Sequence, residues 1–162
     1  MEIGNIETLP PTPQSLDMEC CLVRIAMDLG LNALLLNIAQ ALYPSGHLCF
    51  ASYTDNNLKE IKALTGQGLD YLPLAKVCEL LQSLGFDILL QIEKQMTFYF
   101  EHPKQVLQHI KATGVQATAQ GFRWTKSSLQ DFYTGYQQFQ DPESKQYALT
   151  YHPVYVIARK TA

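Results

Sequence analysis

The stretch Leu42–Ser52, "LYPSGHLCFAS", decides how the chain is read. An apolar stripe leads into it: Leu34, Leu35, Ile38, Ala41 and Leu42 recur at helical spacing over residues 32–42, with Asn32 placed to cap the start. Pro44 and Gly46 stop that helix, and the largely apolar run over 47–53 has the length and composition of a strand. A helix, a short turn and a strand apolar on both sides is the pattern of an α/β layer.

Working outward, residues 16–24 supply one more strand. A helix is expected over 55–65, capped by Thr54 or Asp55, with Leu58, Ile61 and Leu64 inward and Gly66 and Gly68 closing it. The next helix has Pro73 in its first turn, Leu74, Val77, Cys78, Leu81 and Leu84 as its stripe, and Gly85 as its C-cap. From Phe86 the period changes to two. Phe86, Ile88, Leu90, Ile92, Met96, Phe98 and Phe100 share one face of a single long strand over 86–100. Pro103 opens a helix carrying Val106, Leu107 and Ile110 that Gly114 closes, and 115–124 read as loop. Thr125 caps a last helix with Leu129, Phe132, Tyr133, Tyr136 and Phe139, whose spacing favours core packing over a channel lining. After the break at Asp141-Pro142 the chain closes on a strand over 147–160, where Pro153 belongs beside a bulge or a strand end.

The chain has 162 residues, 47% hydrophobic and 17% charged, enough for one sizeable core, and no repeat or linker divides it. A net charge of -3 with no basic block excludes nucleic acid and anionic membrane as main partners. No apolar run approaches the ~18 residues of a spanning helix, and "MEIGNIETLPPTP" lacks signal-peptide features, so a cytoplasmic protein is expected. Cys20, Cys21, Cys49 and Cys78 are not spaced as a zinc site and fit buried thiols in a reducing compartment. His47, His102 and His152 are scattered beside turns, and no metal is expected.

Five segments then act together: "GNIETLP" (Gly4–Pro10), "LLLNIAQALYPSGHLCFASY" (Leu34–Tyr53), "NLKEIKALTGQGLDYLPL" (Asn57–Leu74), "VLQHIKATGV" (Val106–Val115) and "LTYHPVYVIARK" (Leu149–Lys160). They resemble the carboxyl-terminal half of a class I S-adenosylmethionine-dependent methyltransferase, and within that class the malonyl-acyl-carrier-protein O-methyltransferases of biotin synthesis. The resemblance implies an α/β fold: a partial Rossmann-like sheet of about four strands. In it 47–53 is the fifth of seven strands, and 86–100 and the closing strand are the last pair, one of them antiparallel. Within a single domain over 1–162, helices at about 55–65 and 103–139 would form a lid over the acceptor.

The resemblance also implies a cofactor, S-adenosylmethionine, and a partner, the malonyl thioester of acyl carrier protein or coenzyme A. The family's glycine-rich loop would lie upstream of Met1, and Gly66 and Gly68 do not replace it because they follow a helix instead of a strand. Two outcomes stay open: an enzyme, or a non-catalytic remnant or interaction module. Of the adenine site the resemblance retains Asn5, whose side-chain carbonyl accepts from the adenine amino group, and Ile6, whose backbone N–H meets a ring nitrogen. A sheet lacking its front strands would expose the edge of 16–24, and self-association through that edge is expected.

The family reaction methylates a carboxylate already ionised near neutral pH, so alignment matters and no catalytic dyad is needed. The candidates for orienting the substrate carboxylate are Lys111, Arg123 and Arg159, joined by Tyr151 on the closing strand. Each has a plainer alternative: Lys111 on a solvated helix face, Arg159 and Lys160 in a solubilising tail, Tyr151 in sheet packing.

Cys20–Gly30, "CCLVRIAMDLG", departs from the Leu-Gln-Trp segment that ends the family's fourth strand. Shifting the reading frame by one base converts Met27-Asp28 into a codon for Trp, and suitable codons at Ile25 and Ala26 would restore Leu-Gln before it. A locally disturbed frame is the expectation, and the nucleotide sequence decides it.

Overall fold

The computed structural model describes residues 13–22, 30–66, 68, 70–113 and 125–161. In chain order the elements are β1 (Leu16–Leu22), α1 (Gly30–Ala41), β2 (Leu42–Tyr53), α2 (Lys59–Thr65), α3 (Leu74–Ser83), β3 (Phe86–Glu93), β4 (Met96–Phe100), α4 (Pro103–Ala112), α5 (Lys126–Tyr136), β5 (Tyr147–Tyr151) and β6 (Pro153–Lys160). They fall into two compact units. The first draws on Met1–Asp55, Asp70–Lys94 and Pro153–Ala162, the second on Asn56–Leu69 and Gln95–His152.

The first unit is a four-stranded sheet in the order β1-β2-β6-β3. β1 runs parallel to β2, whereas β6 is antiparallel to both β2 and β3. The cross-strand pairs Leu48↔Ala158 and Phe50↔Val156 point to one face. There they join Leu35 and Ile38 of α1 and Val77 and Leu81 of α3 in a single buried cluster. Burying side chains of this kind contributes about 1.5–3 kcal/mol each, so this one-sided layer holds the unit together. The opposite face carries Met18, Leu90, Ile92 and Tyr155, all exposed.

Three expectations change here. The helix before the opening stretch begins at Gly30, so Asn32 lies inside it, and the strand starts at Leu42 instead of 47. Leu42 already pairs with Leu16, and the ladder shifts register before Met18↔His47, which accommodates Ser45 at φ 66. The long strand over 86–100 is two strands: β3 stays with the sheet and β4 pairs elsewhere. Within β3 a register shift between Ile88 and Leu90 reverses the alternation. Phe86 is 3% exposed while Leu90 and Ile92 are each 44% exposed, so these residues do not share one face. The closing strand likewise divides at His152, with Pro153 heading β6, as a proline without a ladder donor requires.

Lys160 is not a free tail. Its ammonium donates to the Ala39 and Leu42 carbonyls, closing the carboxyl-terminal end of α1. A cation at that end offsets both orphan carbonyls and the helix dipole. Gly85, at φ 81, makes the turn after α3 as the sequence requires.

In the second unit β4 and β5 form an antiparallel ribbon with Phe98↔Leu149 and Phe100↔Tyr147 opposed. α4 is capped by His102, whose imidazole accepts from the Lys104 N–H, while the Gln105 side chain accepts from the His102 N–H. Thr125 caps α5 as expected, its hydroxyl oxygen accepting from the Ser128 N–H at 3.1 Å. The helix expected over 55–65 starts only at Lys59. Residues 55–58 are held as a turn because the Leu58 N–H donates to the Thr150 carbonyl at 2.8 Å and the Asn57 side chain accepts from the His152 N–H at 3.1 Å. Those bonds replace the cap assigned to Thr54 or Asp55.

Candidate functional site

The second unit gathers the residues with chemical interest. β5 is buried on both sides, Leu149 and Thr150 being 0% and 2% exposed. Alternation along the strand sends Tyr151 to one face and Thr150 to the other.

On the first face, His109 of α4 stands among three aromatic rings. Its centroid lies 5.3 Å from Phe100 and 5.9 Å from both Phe98 and Tyr151. Phe98 and Tyr151 meet edge to face at 5.5 Å. Phe98 keeps 44% of its surface exposed, so this aromatic wall is partly open.

On the second face, Glu60 of α2 is 2% exposed. Its carboxylate accepts from the Thr150 hydroxyl at 2.6 Å and from the Thr150 N–H at 3.0 Å. A carboxylate removed from water is tolerated when charge-assisted hydrogen bonds replace its hydration. Beside it the fully buried Tyr136 donates to the Ala148 carbonyl at 2.8 Å. Burial pushes the Tyr136 hydroxyl well above the usual phenol range, and the nearby charges of Glu60 and Tyr151 add to the effect. Phe132 and Tyr136 are core, in line with their helical spacing.

The sequence candidates are distributed unevenly. Tyr151 is buried against His109. Lys111 lies two residues beyond His109 in the last turn of α4 and is exposed; side chains two apart on a helix do not face the same way. Arg159 belongs to the first unit, where it pairs with Asp87 of β3 at 3.2 Å, both side chains about half exposed. Asn5, Ile6 and Arg123 lie outside the described residues, as do Gly114, the loop over 115–124 and most of the anomalous segment Cys20–Gly30. Glu60 and His109 were not singled out by sequence reasoning. The signal for Glu60 was its spacing from Leu64, one turn further along α2.

The described glycines do not build a nucleotide cradle. Gly46 lies within β2, Gly66 and Gly68 follow α2, Gly85 lies between α3 and β3, and Gly135 lies inside α5. None of these five sits between a strand's end and a helix N-terminus, the arrangement that lets backbone N–H groups approach a nucleotide. Gly30 opens α1, and residues 23–29 before it are not described. The described residues therefore do not fit S-adenosylmethionine on their own, and no reaction step is routed through it. Among them no group of three or more His, Cys, Asp and Glu residues could hold a metal ion.

No family model matches the chain. Among curated proteins it is 40% identical over 162 residues to the malonyl-acyl-carrier-protein O-methyltransferase of Acinetobacter baylyi, covering 99% of this chain and 63% of that protein. The namesake from Calditerrivibrio nitroreducens is 40% identical over 129 residues, covering 78% of this chain and 50% of that protein. That of Chlorobium luteolum is 34% identical over 158 residues, covering 97% and 59%. The chain thus spans between half and two thirds of the length of these relatives. Among solved structures, a Bacillus halodurans protein described as a methyltransferase superposes with a TM-score of 0.65 at 14% identity, covering 98% of this chain and 70% of that one. An S-adenosylmethionine-dependent methyltransferase from Mesorhizobium loti gives 0.50 at 15% identity, covering 98% and 68%. The fold is that of part of a class I methyltransferase, with the mixed sheet expected from one antiparallel strand in the last pair.

Proposed function

Because it shares about three to four tenths of its residues with malonyl-acyl-carrier-protein O-methyltransferases over most of its length, we propose that the chain is the acceptor-handling portion of such an enzyme. The reaction is transfer of a methyl group from S-adenosylmethionine to the free carboxylate of a malonyl thioester in biotin synthesis. What supports this is the 40% identity sustained over 99% of the chain, through both compact units. The acceptor is the malonyl thioester of acyl carrier protein or of coenzyme A. The second unit, with its helices α2, α4 and α5, carries acceptor recognition, Lys111, Arg123 and Tyr151 orienting the malonyl group. Asn5 and Ile6 meet the adenine ring, and Arg159, in the first unit, is paired with Asp87. On this proposal the chain works in the cytoplasm, where malonyl thioesters are made and used.

Calorimetry with S-adenosylmethionine, followed by mass spectrometry of malonyl-acyl carrier protein and malonyl-coenzyme A for the methyl ester, tests the proposal. Micromolar binding and ester formation are the expected results for a self-sufficient enzyme. An intact fold by circular dichroism with neither result would transfer the chain to a second reading.

That second reading is a non-catalytic module that associates through its sheet. The observation favouring it is β1, which pairs with β2 along one edge and with no other described strand. An open edge of this kind is a template for pairing with another chain. Sedimentation at rising protein concentration should show a dimer, and a monomer throughout would remove the reading.

A further inference from the structure

The first unit holds a feature that methyl transfer does not use. Cys20 of β1 and Cys49 of β2 are direct partners in the parallel ladder, so their side chains leave the sheet on the same face. Cys20 is exposed and Cys49 half-buried. Burial, followed by the proximity of Cys20, pushes the Cys49 thiol up. Neighbouring strands lie ~4.8 Å apart, inside the ~4.4–6.8 Å range of Cα separations that a disulfide spans. The buried Cys78 is engaged separately, its thiol donating to the Gln91 side chain at 3.1 Å.

We propose that Cys20 and Cys49 form a dithiol modification site that closes to an intramolecular disulfide with low-molecular-weight disulfides such as oxidised glutathione. The exposed Cys20 reacts first: its thiolate attacks one glutathione sulfur, and the other leaves as a thiolate that takes up the proton. The Cys49 thiolate then attacks the Cys20 sulfur, the Cys20–Cys49 bond forms, and the second glutathione leaves and is protonated. Two protein thiols are oxidised by two electrons, and one glutathione disulfide is reduced to two thiols. Closure ties β1, an edge strand, to β2 and joins the chain between them into a covalent loop, which restricts the unfolded ensemble.

The test treats the full chain, in a Cys21→Ser background to keep adjacent residues distinct, with oxidised glutathione. Peptide mapping by mass spectrometry before and after reduction reads the product. A Cys20–Cys49 linked peptide, loss of two free thiols, and a rise in Tm that dithiothreitol reverses are expected. Adding Cys49→Ser should instead leave a stable glutathione adduct on Cys20, with no rise in Tm. Separate glutathione adducts on both residues of the parent, a disulfide only between molecules, or no reaction at either thiol would overturn the proposal.

Discussion

The Glu60 carboxylate accepts two hydrogen bonds from one residue, Thr150, which lies 90 positions further along the chain. This ties α2 to β5 at a point where water is excluded. Glu60→Ala leaves both Thr150 donors unsatisfied and opens a void, and should cost about 3 kcal/mol. Glu60→Gln keeps the shape and one acceptor and should cost about 1 kcal/mol. Urea unfolding of the three proteins checks the order, and an alanine variant as stable as the parent would show that the pair is dispensable.

Tyr136 predicts an alkaline limit. Its folded-state pKa is raised above the ordinary value of 10.0, first by burial and then by Glu60 and Tyr151. The folded state therefore keeps a proton that the unfolded state releases. The contribution is fully present below pH ~10 and is lost as pH rises from there toward the folded value. Tm should fall above pH ~10 more steeply in the parent than in Tyr136→Phe. Parallel curves would show that other groups govern the transition.

Lys160→Met retains most of the apolar stem and removes the ammonium from the Ala39 and Leu42 carbonyls. The loss should be about 1–2 kcal/mol. Arg159→Met removes only the exposed pair with Asp87 and should cost under about 1 kcal/mol. Thermal unfolding at matched salt distinguishes the two neighbours.

Gly46 is required by close approach. A Cβ there would stand 2.9 Å from the Tyr43 carbonyl oxygen and 3.2 Å from that of Asp17. Backbone cannot yield as a side-chain end can, so Gly46→Ala should cost about 2–3 kcal/mol. Gly135→Ala meets only the Leu64 side chain, at 2.8 Å, and should be milder.

The contrast between these residues shows what the sequence made legible. The stripes of α3, α4 and α5 and the Thr125 cap were readable because helical spacing and capping chemistry are local. That one of the last two strands runs antiparallel followed from family likeness, and the structure shows that it is β6. The division of the strand over 86–100 was not readable, because the alternation resumes at Met96, Phe98 and Phe100 as though nothing had intervened. The bulge after Ile88 likewise leaves no mark in composition. Lys160 read as part of a solubilising tail and Glu60 was passed over, because a charged residue advertises water unless its partners are known, and both partners are remote in sequence. The site was less legible than the fold: of the named candidates, Tyr151 alone is both described and buried.

β6 follows β2 and β3 in the chain yet lies between them in the sheet. Until it emerges, the nascent chain holds two strands flanking a vacant slot, with neither able to complete its ladder. Cotranslational assembly of this layer must therefore wait for β6. A stop codon before Pro153 would yield a polypeptide with two more raw strand edges, a ready substrate for chaperones and for aggregation.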